Sequence, residues 1–250
     1  MPQSTLQQAL NKPTPIWGGW ITGPTLIGPE EFAKAGYDYV GFDAQHGYLD
    51  DADIASTLRR IEHVPIATAV RLPDAAPAPI GRVLDAGADA VIVAMIESAD
   101  QAAAAVAATR YPPAGIRSFG PLRASLGYEP ASLQARVSVF AMIETAAALS
   151  DLSQICAVDG LTGIYIGPAD LAISMGANPV GATGNPEVLE AIVRIHHAAA
   201  DAGLVTGIHA GNGNSGRSMA QLGFRMITLT SESQALRRGA LDHLREATGQ

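Results

Sequence analysis

Eight short apolar or β-branched runs recur along this chain, at residues 15–21, 37–43, 65–71, 90–95, 138–144, 163–167, 205–209 and 225–230. Between them lie longer Ala- and Leu-rich stretches, at 29–35, 51–62, 78–86, 99–109, 146–155, 186–201, 217–222 and 233–247, which read as helices. Runs such as VIVAM, VSVFAMI and GIYIG are apolar throughout rather than alternating, as parallel strands buried on both faces require. Four helical stretches end at a glycine just before the next strand (Gly36, Gly87, Gly203, Gly223), where glycine readily takes the left-handed conformation of a helix C-cap. Eight strand–helix units of this kind predict an α/β fold, a (β/α)8 TIM barrel. A length of 250 residues suits one such domain spanning 1–250.

Charge and composition narrow the function classes. With 16 basic against 24 acidic residues the net charge is −8, and no basic run is present to hold nucleic acid or an anionic membrane. The single cysteine, Cys156, leaves no internal disulfide framework and no Cys-rich zinc site. No apolar run reaches membrane-spanning length, and MPQSTLQQALNKP lacks the charged-then-apolar order of a signal peptide. The expectation is a soluble, cytoplasmic protein. Hydrophobic residues at 48% against 16% charged suit a homo-oligomer, because part of so apolar a surface needs cover.

In TIM barrels the chemistry gathers at the C-terminal ends of the strands. The second run ends in Asp43-Ala44-Gln45-His46, the third in Arg71, the fifth in Glu144, the sixth in Gly167-Pro168-Ala169-Asp170, and the seventh in His209. Strands in register lie about 4.8 Å apart, so Glu144 and Asp170 at adjacent ends can converge on one cation. Two carboxylates leave coordination positions for water and substrate, which suits Mg²⁺ or Mn²⁺. Either residue alone reads equally well as a helix cap; the pair favours the metal. Arg71 ends an otherwise apolar strand, so its guanidinium is either ion-paired internally or set to meet an anion. His46 lies close to Asp43, and Gly47 permits an exposed turn there, whereas His209 reads as a loop residue lining the pocket. The two lysines, Lys12 and Lys34, precede the first strand and sit in the first helix, so neither is placed for imine chemistry in a barrel mouth. The stretch 211–216 matches G-x-G-x-x-G, but it falls in the seventh of eight units. It reads as a flexible Gly/Asn loop over the mouth rather than a dinucleotide site. A long Pro-, Gly- and Arg-rich connection, from 111 to about 136, is expected to cross the mouth or an oligomer interface.

Around these residues the chain resembles the HpcH/HpaI aldolases, class II pyruvate aldolases of the 4-hydroxy-2-oxoheptanedioate type within the pyruvate/phosphoenolpyruvate superfamily. The segments that carry the likeness are FDAQHG at His46, VRLPD at Arg71, VLDAGADAVIVAMI at Asp85, TRYPPAGIR, MIET at Glu144 and GIYIGPADLAISMG at Asp170. They extend from about Trp17 to the last helix. The resemblance implies a homohexamer that exchanges its last helix. It also implies a divalent ion (Mg²⁺, Mn²⁺ or Co²⁺) held by Glu144 and Asp170 and chelated by a 2-oxo acid, pyruvate or hydroxypyruvate. In the roles it implies, backbone amides of the turn Gly167-Pro168-Ala169-Asp170 help bind the substrate carboxylate. Arg71 stabilises the enolate oxygen, and His46 is the base, with Asp85 raising its basicity. The reaction is reversible aldol cleavage or addition between that donor and an aldehyde.

Two positions depart from the family pattern. Met142 stands where a Gln is usual, and Gln45 where an acid is usual, which predicts an altered substrate preference. The alternatives are a related lyase of the superfamily (a decarboxylase or a CoA-ester lyase-like enzyme), a non-catalytic barrel, or a nicotinamide-dependent reductase using the Gly/Asn loop.

Overall fold

Every expected strand forms, and each pairs in parallel with its neighbour in sequence. A computed structural model describes residues 5–25 and 27–249. The strands are β1 (Ile16–Ile21), β2 (Tyr39–Asp43), β3 (Ala67–Leu72), β4 (Ala90–Val93), β5 (Ser138–Ile143), β6 (Gly163–Ile166), β7 (Val205–His209) and β8 (Met226–Ser231). β8 returns to β1, so the barrel is closed, with one register shift between Gly18 and Gly19. Around it run α1 (Leu6–Leu10), α2 (Gly28–Lys34), α3 (Asp51–Arg60), α4 (Pro77–Asp85), α5 (Ala99–Thr109), α6 (Pro130–Ala135), α7 (Leu152–Cys156), α8 (Pro168–Ser174), α9 (Pro186–Asp201), α10 (Gly213–Gln221) and α11 (Glu232–Thr248).

Two apolar cores hold the barrel. One lies between strands and helices; the other fills the interior with Trp20, Tyr39, Phe140, Met142 and Tyr165. The large rings fit because a glycine faces them from the next strand. A Cβ on Gly41 would lie 2.2 Å from the Trp20 ring, and one on Gly207 2.6 Å from Tyr165. Small-opposite-large filling is how an eight-stranded barrel becomes a solid core. Tyr39 and Tyr165 both keep a hydrogen-bond partner inside it, the Thr228 hydroxyl, at 2.8 and 2.6 Å. α1, absent from the sequence-based expectation, buries Leu6 and Ala9 against this interior core.

The long connection does not cross the mouth. It follows α5, which returns the chain to the end where strands begin, and it is held there by the buried Arg117 and Arg123 and the half-buried Arg136. Arg117 pairs with Asp85 at 2.7 Å, Arg123 with Glu62 at 3.3 Å and Arg136 with Asp89 at 2.7 Å. The Gly/Asn stretch differs from expectation too: Asn212 accepts the Ser215 N–H as the N-cap of α10. No helix among the described residues is long and apolar enough to cross a membrane.

Candidate active site

At the mouth, where the strands end, lies a cavity of about 760 Å³. Asp43, His46, Arg71, residues 167–170 and His209 all line it, together with Trp20, Met142 and Tyr165. With Ser231 of β8, seven of the eight strands contribute to one space.

Asp43 organises one side. Burial alone would raise its pKa, but Arg71, the His46 backbone N–H and the Trp20 indole outweigh that and hold it below its ordinary value. Its oxygens accept from Arg71 Nε at 3.0 Å and Nη2 at 2.5 Å, from Trp20 Nε1 at 3.0 Å, and from the backbone N–H of Gln45 and His46, both at 3.0 Å. The two-point contact with a buried carboxylate fixes the plane of the guanidinium. Arg71 Nη1 has no hydrogen-bond partner among the described residues and belongs to a residue lining the cavity. The internal pairing and the anion-binding reading of Arg71 are therefore compatible: one edge of the fork is anchored, the other open. Sequence reasoning treated Asp43 only as a neighbour of His46, although it anchors both the base candidate and the arginine.

Glu144 and Asp170 stand at adjacent strand ends, as expected. Glu144 is 1% exposed. Its Oε1 accepts the Met95 N–H at 2.8 Å, while its buried Oε2 has no hydrogen-bond partner. Met95 reaches this geometry with a positive φ of 56°, an uncommon conformation for a residue with a side chain. Burial raises the Glu144 pKa, and the Asp170 charge pushes it the same way. Neither acid serves as a cap: Gly167 is the N-cap of α8, and no side-chain cap bond is made there. A Cβ on Gly167 would stand 2.6 Å from Glu144 Oε2 and 2.7 Å from Met142 Cε, so glycine is what leaves the carboxylate its room. A buried, unpartnered carboxylate oxygen with a second carboxylate near enough to raise its pKa suits a hard divalent cation. Among the described residues no group of three or more His, Cys, Asp or Glu side chains could hold a metal. The candidate set is this pair, completed by water and substrate oxygens.

His46 is exposed, and its imidazole has no hydrogen-bond partner among the described residues. Gly47 beside it is required by close approach: a Cβ would lie 2.3 Å from the Thr22 carbonyl oxygen. Asp85 is not brought to His46. It is the last residue of α4, a helix that leads from the mouth to the opposite end, and there it pairs with Arg117. The expected His46–Asp85 contact therefore does not occur within one chain. His209, read as a pocket-lining loop residue, ends β7 and lines the cavity, its ring edge-on to Trp20 at 5.4 Å. Burial pushes its pKa down to about 4, and the Arg71 charge acts in the same direction. Both lysines lie outside the site: Lys12 pairs with Asp38 and Lys34 with Glu31.

Comparison with known proteins places this geometry. Residues 18–238 match the model of the HpcH/HpaI aldolase/citrate lyase family. A hydroxypyruvate/pyruvate aldolase of Rhizorhabdus wittichii is 36% identical over 240 residues, covering 95% of this chain and 96% of that one. A 4-hydroxy-2-oxovalerate aldolase of Rhodococcus jostii is 37% identical, covering 82% of each. Among solved structures, an HpcH/HpaI aldolase/citrate lyase family protein from Burkholderia cenocepacia is similar with a TM-score of 0.87. It shares 32% identity, with 97% of this chain and 98% of that chain covered.

Proposed function

The chain belongs to the HpcH/HpaI aldolase/citrate lyase family and is a class II aldolase, a carbon–carbon lyase, and from that premise we propose how its residues divide the work. The donor is a 2-oxo acid of the pyruvate or hydroxypyruvate type, the substrates for which the Rhizorhabdus relative is named. The observation that carries this reading is a one-sided, anchored Arg71 lining the cavity, together with the unpartnered oxygen of Glu144 packed against Gly167, which lines the same cavity.

Glu144 and Asp170 hold a divalent cation, Mg²⁺, Mn²⁺ or Co²⁺. When bound, that ion supplies Lewis-acid charge beside the 2-oxo group, where negative charge develops. Arg71 donates from its free edge to the same oxygen, and its anchorage to Asp43 means that it need not reorient as charge appears. Backbone amides of the 167–170 turn receive the substrate carboxylate at the start of α8. His46 accepts the proton of the aldol hydroxyl at an imidazole nitrogen and returns it in the reverse direction. The carbon–carbon bond breaks, its electron pair enters the enolate, and the aldehyde leaves. Asp85 supports His46 in this reading only if a neighbouring copy supplies it. α11 supports such an assembly: all 17 of its residues lie outside the buried core, and Leu236, Leu241 and Leu244 are exposed. We assign it to packing on another copy in a homohexamer.

The test is cleavage of a 4-hydroxy-2-oxo acid, followed as 2-oxo acid release after chelation and after readdition of Mn²⁺. Activity should require the cation and fall by roughly 10³-fold or more in Glu144→Ala. Cation-independent cleavage, or a Glu144→Ala enzyme with near-normal rate, would refute the assignment.

A further inference from the structure

His46 owes its place to its backbone. Its side chain has no hydrogen-bond partner among the described residues, so the turn that carries it decides where the imidazole stands in the mouth. Whatever a neighbouring copy adds to the ring, this chain positions that turn. Two supports hold it. On one side Asp43 accepts the backbone N–H of Gln45 and of His46, both at 3.0 Å. On the other, the segment 22–25 after β1 takes over: the Thr22 carbonyl accepts the Tyr48 N–H at 2.8 Å, and Gly47 packs on the same carbonyl. Asp43 belongs to the barrel, whereas 22–25 lies beyond the end of its strand. That segment is pinned from outside. Thr25 donates its hydroxyl to Glu232 Oε1 at 2.6 Å and accepts the Gly28 N–H at 2.9 Å, so one hydroxyl ties the segment, α2 and α11 together. A hydroxyl on a carboxylate at this length is a strong hydrogen bond. Gly28 leaves it room, since a Cβ there would lie 2.6 Å from Glu232 Oε1. Only Gly23 and Pro24 separate Thr22 from Thr25. The proline ring fixes its own φ and narrows the choices of the residue before it, so a displacement at Thr25 reaches Thr22 with little slack.

From this path of contacts we propose that Thr25 and Glu232 are positioning residues for His46, their hydrogen bond holding the segment 22–25 against the turn that carries the base. The proposal rests on the reading of His46 as the base and adds to it two residues that do not line the cavity. Arg71, Glu144 and the 167–170 turn stand on β3, at the end of β5 and after β6, away from this path. Loss of the hydrogen bond therefore falls on turnover rather than on binding of the donor or the cation. Glu232 is also the first residue of α11, so the helix assigned to packing on another copy starts at the support of the base.

The experiment uses the full-length, Mn²⁺-loaded enzyme cleaving a 4-hydroxy-2-oxo acid, with rates expressed per titrated Mn²⁺ site so that unfolded protein drops out. Thr25→Val, which keeps the shape of the side chain, and Glu232→Leu each remove the hydrogen bond. Either should lower kcat roughly tenfold or more, since misplacing a reacting group by about 1 Å costs roughly 10²-fold. KM and Mn²⁺ affinity should stay within about twofold of wild type, because the donor side is untouched. Thr25→Ser and Glu232→Gln, which keep the donor and the acceptor, should retain most of kcat. In a His46→Ala background Thr25→Val should cost little more, because residues that act as a unit are not additive. A merely structural role predicts the same fold-loss in both backgrounds. Should His46→Ala leave no measurable rate, the division of the loss between kcat and KM decides the matter. A kcat near wild type in Thr25→Val and Glu232→Leu, a loss carried by KM or Mn²⁺ affinity, or an undiminished loss on top of His46→Ala overturns the proposal. A His46→Ala enzyme with near-normal kcat defeats the reading of the base beneath it. A normal dependence on His46 with no effect of Thr25→Val defeats this proposal alone.

Discussion

At the scale of single residues, the site stores an electrostatic conflict that only a cation resolves. Glu144 is buried, one of its oxygens is unpartnered, and Asp170 repels its charge. Its pKa is raised on folding, so between the ordinary and the raised value the folded chain holds more protons than the unfolded one. Stability therefore falls as pH rises through that window, and at neutral pH the ionised carboxylate is destabilising. Glu144→Gln should accordingly raise the melting temperature of the cation-free protein by a few degrees at pH 7, and the advantage should shrink as pH falls through the raised value. Mn²⁺ should raise the wild-type midpoint and leave that of Glu144→Gln unmoved. Scanning fluorimetry with and without chelator reads both; a less stable, still cation-responsive Glu144→Gln would contradict the account. The residues at strand ends were legible in the sequence because a barrel sends its chemistry there. The role of Asp43 was not, because strand periodicity does not say which of two nearby polar groups turns inward. The contact expected between His46 and Asp85 does not form within one chain, because α4 carries Asp85 to the end of the barrel away from the mouth, and sequence motifs do not say whether a partner residue comes from the same copy.

Among elements, the junction between β6 and α8 matters most. Gly167 lets a strand end, a helix start and the Glu144 carboxylate share a space that a single methyl group would close. Gly167→Ala should displace Glu144, weakening Mn²⁺ binding by titration and lowering turnover roughly 10²-fold, while the circular dichroism of the barrel is kept. Binding and turnover equal to wild type would show that the junction tolerates the methyl group. Strands of four to six residues, apolar throughout and punctuated by glycine, were readable to within about two residues at their ends. α1, α6 and α8 escaped notice because five to seven residues barely exceed one helical turn and display no periodicity. Of the two places expected for the long connection, the mouth is excluded: its length was visible in the sequence, but its arginine partners, Asp85, Asp89 and Glu62, lie on other elements.

For the whole molecule, the barrel accounts for the apolar composition only in part. α11 buries none of its residues, and a helix with no packed face gains little from its own chain. Changing Leu236, Leu241 and Leu244 together to Glu should shift the protein from oligomer to smaller species in light scattering, with activity falling if neighbouring copies complete the site. An unchanged mass would remove α11 from the interface. The central claim, that this barrel forms an enolate of a 2-oxo acid using Arg71 and a cation on Glu144 and Asp170, is tested most directly without any aldehyde. Chelated protein is incubated with pyruvate in deuterated buffer, and exchange of the methyl protons is followed by NMR before and after Mn²⁺ is added. The account predicts exchange that requires the cation and disappears in Arg71→Ala and Glu144→Ala. Absence of exchange with both pyruvate and hydroxypyruvate, or exchange that persists in those variants, would contradict it.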